Sequence, residues 1–109
     1  MKRYQHFVLT KIALAVFAIA TAVNSSAADK NNGEIFATDN CARCHAINKT
    51  GASPNAKAPP FWQIAGKYEL EFLQEALAEG IVTGHNNMPE FILTTKQIDD
   101  LLAHFQTLK

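Results

Sequence analysis

Apolar residues recur every three to four positions in three segments of the chain, which is the period of an amphipathic helix. These segments are residues 32–39, 68–79 and 94–108. The second segment stops at Gly80, and glycine commonly follows the last turn of a helix. Between the segments, no convincing stretch alternates with the period of two that marks a half-buried strand. The pattern therefore predicts an all-α fold with three or more short helices.

The third segment has the clearest start. Thr94 and Gln97 have the spacing of a capping box, and Leu93 is placed to pack against Ile98 as a hydrophobic staple. We expect a helix of about four turns from here to the end of the chain. Its apolar row consists of Ile98, Leu101, Leu102, Phe105 and Leu108. Residues 48–58 are rich in Gly, Ser, Pro and Asn and are predicted to form a surface loop.

The first 28 residues have the order of a secretory signal peptide. Basic residues precede an apolar run over 12–23 that is broken only by Thr21, and small residues follow at 25–28. We expect cleavage after Ala27 or Ala28. A permanent membrane anchor would need about twenty apolar residues, more than this run provides. The predicted organisation is a signal peptide over 1–28 and one domain over 29–109, exported to the periplasm without stable membrane insertion.

The predicted mature part is mildly acidic and small. Residues 29–109 contain seven Lys plus Arg against ten Asp plus Glu, a formal net charge of −3. No run of like charge could follow a phosphate backbone, so nucleic acid is not an expected partner. Three short helices bury little apolar surface, so a further core component is expected. In an oxidising compartment, Cys41 and Cys44 should be paired or chemically occupied.

Three kinds of chemistry could use Cys41 and Cys44, which His45 follows directly. A thiol oxidoreductase normally places Cys-x-x-Cys beside a βαβ pattern, which is not apparent here. A zinc site would need two of His45, His85 and His104, which stand apart in the chain. Cys-x-x-Cys-His is also the attachment motif of c-type haem. Since residues i, i+3 and i+4 share one face of a helical turn, both thiols can reach the porphyrin while the imidazole faces the iron.

With this motif, the sequence resembles the class I monohaem c-type cytochromes over most of residues 30–109. The matching segments are GEIF at 33–36, CARCH at 41–45, APPF at 58–61, IAGK at 64–67, MP at 88–89 and the helix over 98–108. The resemblance implies a cytochrome c-like fold around one haem c, attached covalently through two thioethers. It also implies that the last helix crosses the first near Gly33 and Phe36. Family members commonly have an aromatic residue near position 104; here it is His104, and Phe105 is expected to take over part of its packing.

The resemblance also implies that Met88 is the second axial ligand of the iron. Met88 is the only methionine of the predicted mature chain, lies in a polar loop and precedes Pro89, which restricts its backbone to extended conformations. A buried methionine is more commonly a core filler, but this surrounding loop is polar. The alternative ligand is His85, which would give a bis-histidine iron. We favour Met88.

Other residues are assigned to the surroundings of the haem. By resemblance, the backbone carbonyl of Pro59 accepts a hydrogen bond from the His45 ring, and Pro60 is the alternative acceptor. Trp62 is expected either to donate its indole N–H to a haem propionate or to fill the core as a large aromatic. Asn86 or Asn87 either donates to the Met88 sulfur or shapes the turn.

An iron with two protein ligands has no open position for a substrate, so the chain is predicted to be an electron carrier and not an enzyme. A methionine ligand favours ferrous iron, which predicts a positive reduction potential. The expected partners are a periplasmic dehydrogenase or reductase and a terminal oxidase, and a monomer is favoured. Two alternatives remain: a subunit of a periplasmic dehydrogenase complex, and a haem-based ligand sensor in which Met88 detaches.

Overall fold

The computed structural model describes residues 20, 22, 26–80 and 87–109, and all structural statements concern these residues. They form four α-helices: α1 Lys30–Asn40, α2 Phe61–Lys67, α3 Leu70–Glu79 and α4 Thr95–Gln106. None of the described residues belongs to a β-strand. The predicted all-α fold is therefore confirmed. Most of the predicted signal peptide lies outside the described residues, and no described helix is long and apolar enough to cross a bilayer.

Helix α1 begins two residues before the predicted segment because Asp29 caps it. The Asp29 carboxylate accepts hydrogen bonds from the backbone N–H groups of Asn31 and Asn32, which satisfies donors that the helix itself leaves free. Further along, Gly33 lies directly against the backbone of α4. A Cβ atom at Gly33 would stand 2.6 Å from the carbonyl carbon of Asp100, which is closer than real Cβ atoms approach. Glycine is therefore required where α1 and α4 cross.

The packing at this crossing differs from one sequence expectation. His104 itself lies against Gly33, since a Cβ at that glycine would be 3.0 Å from the Cβ of His104. Phe105 does not take its place there: its ring stacks on Phe61, with centroids 4.4 Å apart. The two side chains leave α4 in different directions, one toward α1 and the other toward α2. Phe36, near the same crossing, makes an edge contact with Phe91 at a centroid distance of 6.5 Å.

Helix α4 starts as predicted. The Thr94 hydroxyl accepts a hydrogen bond from the Gln97 N–H at 3.2 Å, and the Gln97 side chain accepts one from the Thr94 N–H at 2.9 Å. This is the capping box that the sequence indicated. From the predicted apolar row, Ile98, Leu101, Phe105 and Leu108 are buried, whereas Leu102 is only half-buried. One cluster of packed, buried apolar residues consists of Ala37, Ile47, Phe61, Ala65, Leu101, Phe105 and Leu108.

The remaining helices are short. Helix α3 ends at Gly80, whose φ of 85° is in the left-handed region that glycine adopts readily. Helix α2 has seven residues and follows Pro60 without a side-chain cap; it was not predicted as a helix. Residues 48–58 form turns and bends and contain no helix, in agreement with the predicted loop.

Candidate functional site

Cys41, Cys44 and His45 lie on one turn that continues directly from the end of α1. The carbonyl oxygen of Cys41 accepts hydrogen bonds from the Cys44 N–H at 3.1 Å and from the His45 N–H at 2.9 Å. This bonding repeats the spacing of a helical turn, so the three side chains emerge on the same side. All three contribute to the wall of one cavity.

The His45 ring is buried and has a defined orientation. Its Nδ1 lies 2.7 Å from the carbonyl oxygen of Pro59, and because a carbonyl can only accept, Nδ1 carries the proton. The Nε2 atom is then the ring nitrogen available to a metal. The Pro60 carbonyl accepts instead from the N–H groups of Gln63 and Ile64 at the start of α2. Of the two proline carbonyls considered, it is therefore Pro59 that contacts His45.

The chain after His45 is attached to three other parts of the fold. The Ala46 N–H donates to the Ser53 hydroxyl at 3.1 Å, and the Ala46 carbonyl accepts from the Phe61 N–H at 2.8 Å. The Ile47 carbonyl oxygen lies 2.8 Å from Nε2 of the buried His104. These bonds hold the segment carrying His45 against the loop, α2 and α4. Sequence reasoning missed this arrangement because the partners lie up to 57 positions apart and form no motif.

The cavity has a volume of about 590 Å³, within the range of small-molecule and cofactor sites. Its wall includes both cysteines, His45 and the half-buried Met88. Most of the rest is apolar, including Phe36, Phe61, Ile64, Leu73, Ala76, Leu77, Phe91, Leu93, Leu101 and Phe105. Two thiols, an imidazole and a thioether around an apolar space fit the requirements of an attached porphyrin with two axial ligands. Phe91 and Leu93 were not foreseen here, since no helical period includes them.

The Cys41 thiol is unsuited to nucleophilic redox chemistry. Neither cysteine is in a disulfide, and burial raises the pKa of the Cys41 thiol to about 11. Thiol–disulfide exchange requires a thiolate, which reactive cysteines obtain through a lowered pKa. Cys41 therefore remains protonated at neutral pH, and this weakens the thiol oxidoreductase alternative.

The histidines of the alternative hypotheses have different positions. His85 and Asn86 lie outside the described residues, whereas Asn87 contributes to the cavity wall. His104 is only 4% exposed, and its Nε2 is engaged with the Ile47 carbonyl. Within the described ranges, no three His, Cys, Asp or Glu side chains form a cluster that could hold a metal ion.

Trp62 differs from both expectations for it. Its indole N–H donates to the carbonyl oxygen of Gly51 at 2.9 Å, and the residue is 39% exposed. Among the described residues, the wall of the 590 Å³ cavity does not include Trp62. Its ring instead borders a shallow depression beside the loop over 51–60. Trp62 thus connects α2 to this loop, and it is neither a core aromatic nor a free donor at the cavity.

Comparison with known proteins gives a consistent picture. The family model described as Cytochrome c matches residues 31–109. The chain is also similar to a protein named cytochrome c-552 from Bradyrhizobium diazoefficiens. The two are 29% identical over 104 residues, which cover 95% of this chain and 98% of the relative. No solved structure gave a significant match.

Proposed function

The chain belongs to the cytochrome c family, and on that premise we propose that it is a periplasmic electron carrier in which His45 and Met88 bind the iron of one haem c. Family membership itself identifies an electron-transfer haem protein with covalently attached haem c. The ligand pair, the compartment and the individual residue roles belong to the proposal. The observation that carries it is the single cavity whose wall includes both cysteines, His45 and Met88.

Cys41 and Cys44 would hold the haem through thioethers, and His45 would bind the iron through Nε2. When bound, the haem supplies a one-electron redox couple at its iron. The hydrogen bond from His45 Nδ1 to the Pro59 carbonyl fixes the tautomer and the orientation of the ring. It also increases the basicity of the ligating nitrogen. Pro59 therefore acts by orienting His45 and does not itself bind the iron.

Met88 is the proposed second ligand because it reaches the same cavity as His45. A thioether stabilises ferrous iron, and the largely apolar wall disfavours the additional charge of ferric iron. Both effects raise the reduction potential. Two protein ligands also leave no open position, which suits transfer of single electrons to and from redox partner proteins.

The ligand assignment can be tested by redox titration of the holoprotein. Met88→Leu removes the sulfur at similar volume, and we expect a lower midpoint potential in this variant and a positive one in the parent. Leu93→Met is the matched control, since Leu93 lies in the same cavity wall and the exchange conserves volume; it should leave the midpoint nearly unchanged. A midpoint well below zero in the parent would contradict Met88 as ligand.

Carbon monoxide separates the carrier from the ligand sensor. A ferrous iron that retains Met88 should keep its spectrum when carbon monoxide is added at neutral pH, whereas Met88→Leu should respond. A response of the parent protein would favour the sensor. Co-purification of the protein with a dehydrogenase at high salt would favour the subunit of an enzyme complex over the free carrier.

The compartment is proposed from the leader-like residues 1–28, most of which lie outside the described residues. Fractionation of cells producing the full chain is expected to place the haem-containing protein in the periplasm, shortened by the length of the leader. Retention of the full-length chain in the membrane fraction would instead support an anchor. The proposed partners are accordingly periplasmic: a dehydrogenase or reductase as donor, and an oxidase as acceptor.

A further inference from the structure

The start of α1 has a partly buried ionic contact that the function described above does not use. Residues 26–28 are exposed and have no regular structure, whereas helix α1 begins at Lys30. Between them, the backbone N–H of Asp29 donates to Oδ1 of Asp100 on α4 at 2.7 Å. Among the described residues, Asp29 is therefore the first whose backbone nitrogen bonds to another described residue.

Asp100 is unusually buried for a residue with a carboxylate, because it is only 5% exposed. Its Oδ1 accepts hydrogen bonds from the Asp29 N–H and from Lys96 Nζ, the latter at 2.6 Å. Lys96, one turn earlier on α4, is the charged partner in this contact and is itself partly exposed. The Lys96 hydrogen bond, followed by the Asp29 N–H, lowers the pKa of Asp100. The Asn32 side chain also contributes to this lowering, and the carboxylate is thus ionised at neutral pH.

In the full-length chain, the charges of Asp29, Asp100 and Lys96 do not sum to zero. Asp29 and Asp100 each contribute a negative charge, and Lys96 contributes one positive charge. A positive charge at the nitrogen of Asp29 would make the group neutral and would convert a neutral donor to Asp100 into a charged one. Hydrogen bonds between charged groups are shorter and stronger than those of neutral donors.

We propose that cleavage of the Ala28–Asp29 peptide bond supplies this charge, so that the new amino terminus forms an ion pair with Asp100 and fastens α1 to α4. A signal peptidase would hydrolyse the bond with one water molecule, leaving a carboxylate on Ala28 and a protonated α-amino group on Asp29. The inference rests on the proposed export. It selects Ala28 over Ala27 as the cleavage position, and Ala28 and Ser26 supply the small residues that such an enzyme requires.

The ion pair has to overcome an opposing effect. A positive charge at the start of a helix is disfavoured by the helix dipole. The new ammonium should therefore stabilise the protein only while Asp100 is present, and should be neutral or unfavourable without it. This dependence on one carboxylate distinguishes the ion pair from a general benefit of removing the leader.

The cleavage position is tested by intact mass and N-terminal sequence of the exported holoprotein. We expect Asp29 as the first residue. A chain that starts at Ala28 or further upstream would overturn the proposal. This measurement does not depend on ligation or potential, so it can fail while the electron carrier stands.

The ion pair is tested with two holoprotein forms, one starting at Asp29 and one starting at Ala27, by urea denaturation near pH 6. The first form should have an unfolding constant about fivefold lower, the difference between a charged and a neutral donor. Asp100→Asn should abolish or reverse this difference. Asp99→Asn is the matched control. It removes the same charge from the neighbouring position, and the difference in stability between the two forms should remain. An equal stability of the two parent forms, or an unchanged difference in Asp100→Asn, would contradict the ion pair.

The difference in stability between the same two forms is expected to depend on pH. An α-amino group ordinarily has a pKa of about 8, and the Asp100 carboxylate should raise this value in the folded protein. The groups facing it are the carboxylate of Asp29, which caps α1, and Lys96 and Asp100 on α4. The advantage of the Asp29 form should be complete below about pH 7.5 and should disappear as the pH rises through the folded value. A constant advantage across this range would overturn the assignment to the amino terminus.

Discussion

The contact between α1 and α4 and the side of the cavity formed by α3 are built in different ways. Between α1 and α4, Gly33 brings the two backbones together, and Ala37 and Ile98 are buried. Helix α3 has no buried residue; Leu73, Ala76 and Leu77 are half-buried, and they contribute to the cavity wall. The first contact is thus made by protein alone, whereas α3 packs around the space assigned to haem. This difference predicts that the folding of α3 depends on the cofactor more than the α1–α4 contact does.

Loss of haem attachment should have the largest effect. In Cys41→Ala with Cys44→Ala, the cavity wall has nothing to pack against, and we expect loss of most or all of the folding free energy, on the order of 5–15 kcal/mol for a domain. Residual helix should be confined to α1 and α4, as measured by circular dichroism and amide hydrogen exchange. Arg43→Ala is the control, because Arg43 is exposed within the same motif. A haem-free variant with cooperative unfolding and protected α3 amides would contradict this view.

Gly33→Ala should break the α1–α4 contact directly. The added methyl group would meet the Asp100 backbone and the His104 side chain, and we expect a loss of about 3 kcal/mol from overpacking. Urea denaturation of the holoprotein measures this change. Gly66→Ala is the matched control: its Cβ meets no atom within 4 Å, and in a helix it should stabilise by about 0.5–1 kcal/mol. Equal stabilities of the two variants would show that the helices do not depend on close approach.

His104→Phe should have a smaller effect in the same region. The substitution leaves the carbonyl of Ile47 without its side-chain donor, because His104 Nε2 bonds it at 2.8 Å. Leaving such a buried group unpaired costs about 2 kcal/mol. His104→Gln retains an N–H donor and should recover part of the loss in guanidinium denaturation. Equal stabilities of His104→Phe and the parent protein would show that the hydrogen bond makes no net contribution to stability.

Thr94→Ala should have the smallest effect. It removes the hydroxyl that accepts from the Gln97 N–H, and loss of such a cap costs about 1 kcal/mol. Thermal unfolding should reveal a modest decrease. Thr95→Ala, at the next position and exposed, should change stability by no more than a few tenths of a kcal/mol. Similar losses in the two variants would argue against a specific role of the cap.

Helix ends marked by a local signal were predicted better than helices that lack one. Local motifs identified the start of α4 at Thr94 and the end of α3 at Gly80, because capping and glycine geometry act over a few residues. Helix α2 was missed because its seven residues are too few to reveal a period and Pro60 offers no side-chain cap. The extent of α1 was underestimated for a related reason: the Asp29 cap was not recognised.

Long-range contacts were less accessible to sequence reasoning. The attachment motif could be identified because Cys41, Cys44 and His45 are adjacent in the chain. The bond from His104 to Ile47 could not, since nothing local indicates which carbonyl a buried histidine will meet. Trp62 shows a related difficulty: the sequence identified a hydrogen-bond donor but not the acceptor that it meets. Its indole suited a hydrogen bond at the haem, but the nearby Gly51 carbonyl competes for the same donor.

The central claim is that His45 and Met88 both bind the haem iron, and the ferric absorption spectrum tests it most directly. Sulfur ligation produces a weak band toward the red end of the ferric spectrum. We predict that this band is present in the exported protein at neutral pH, absent in Met88→Ala and retained in Leu93→Ala, a truncation elsewhere in the same cavity wall. Absence of the band from the parent protein, or its persistence in Met88→Ala, would contradict the account.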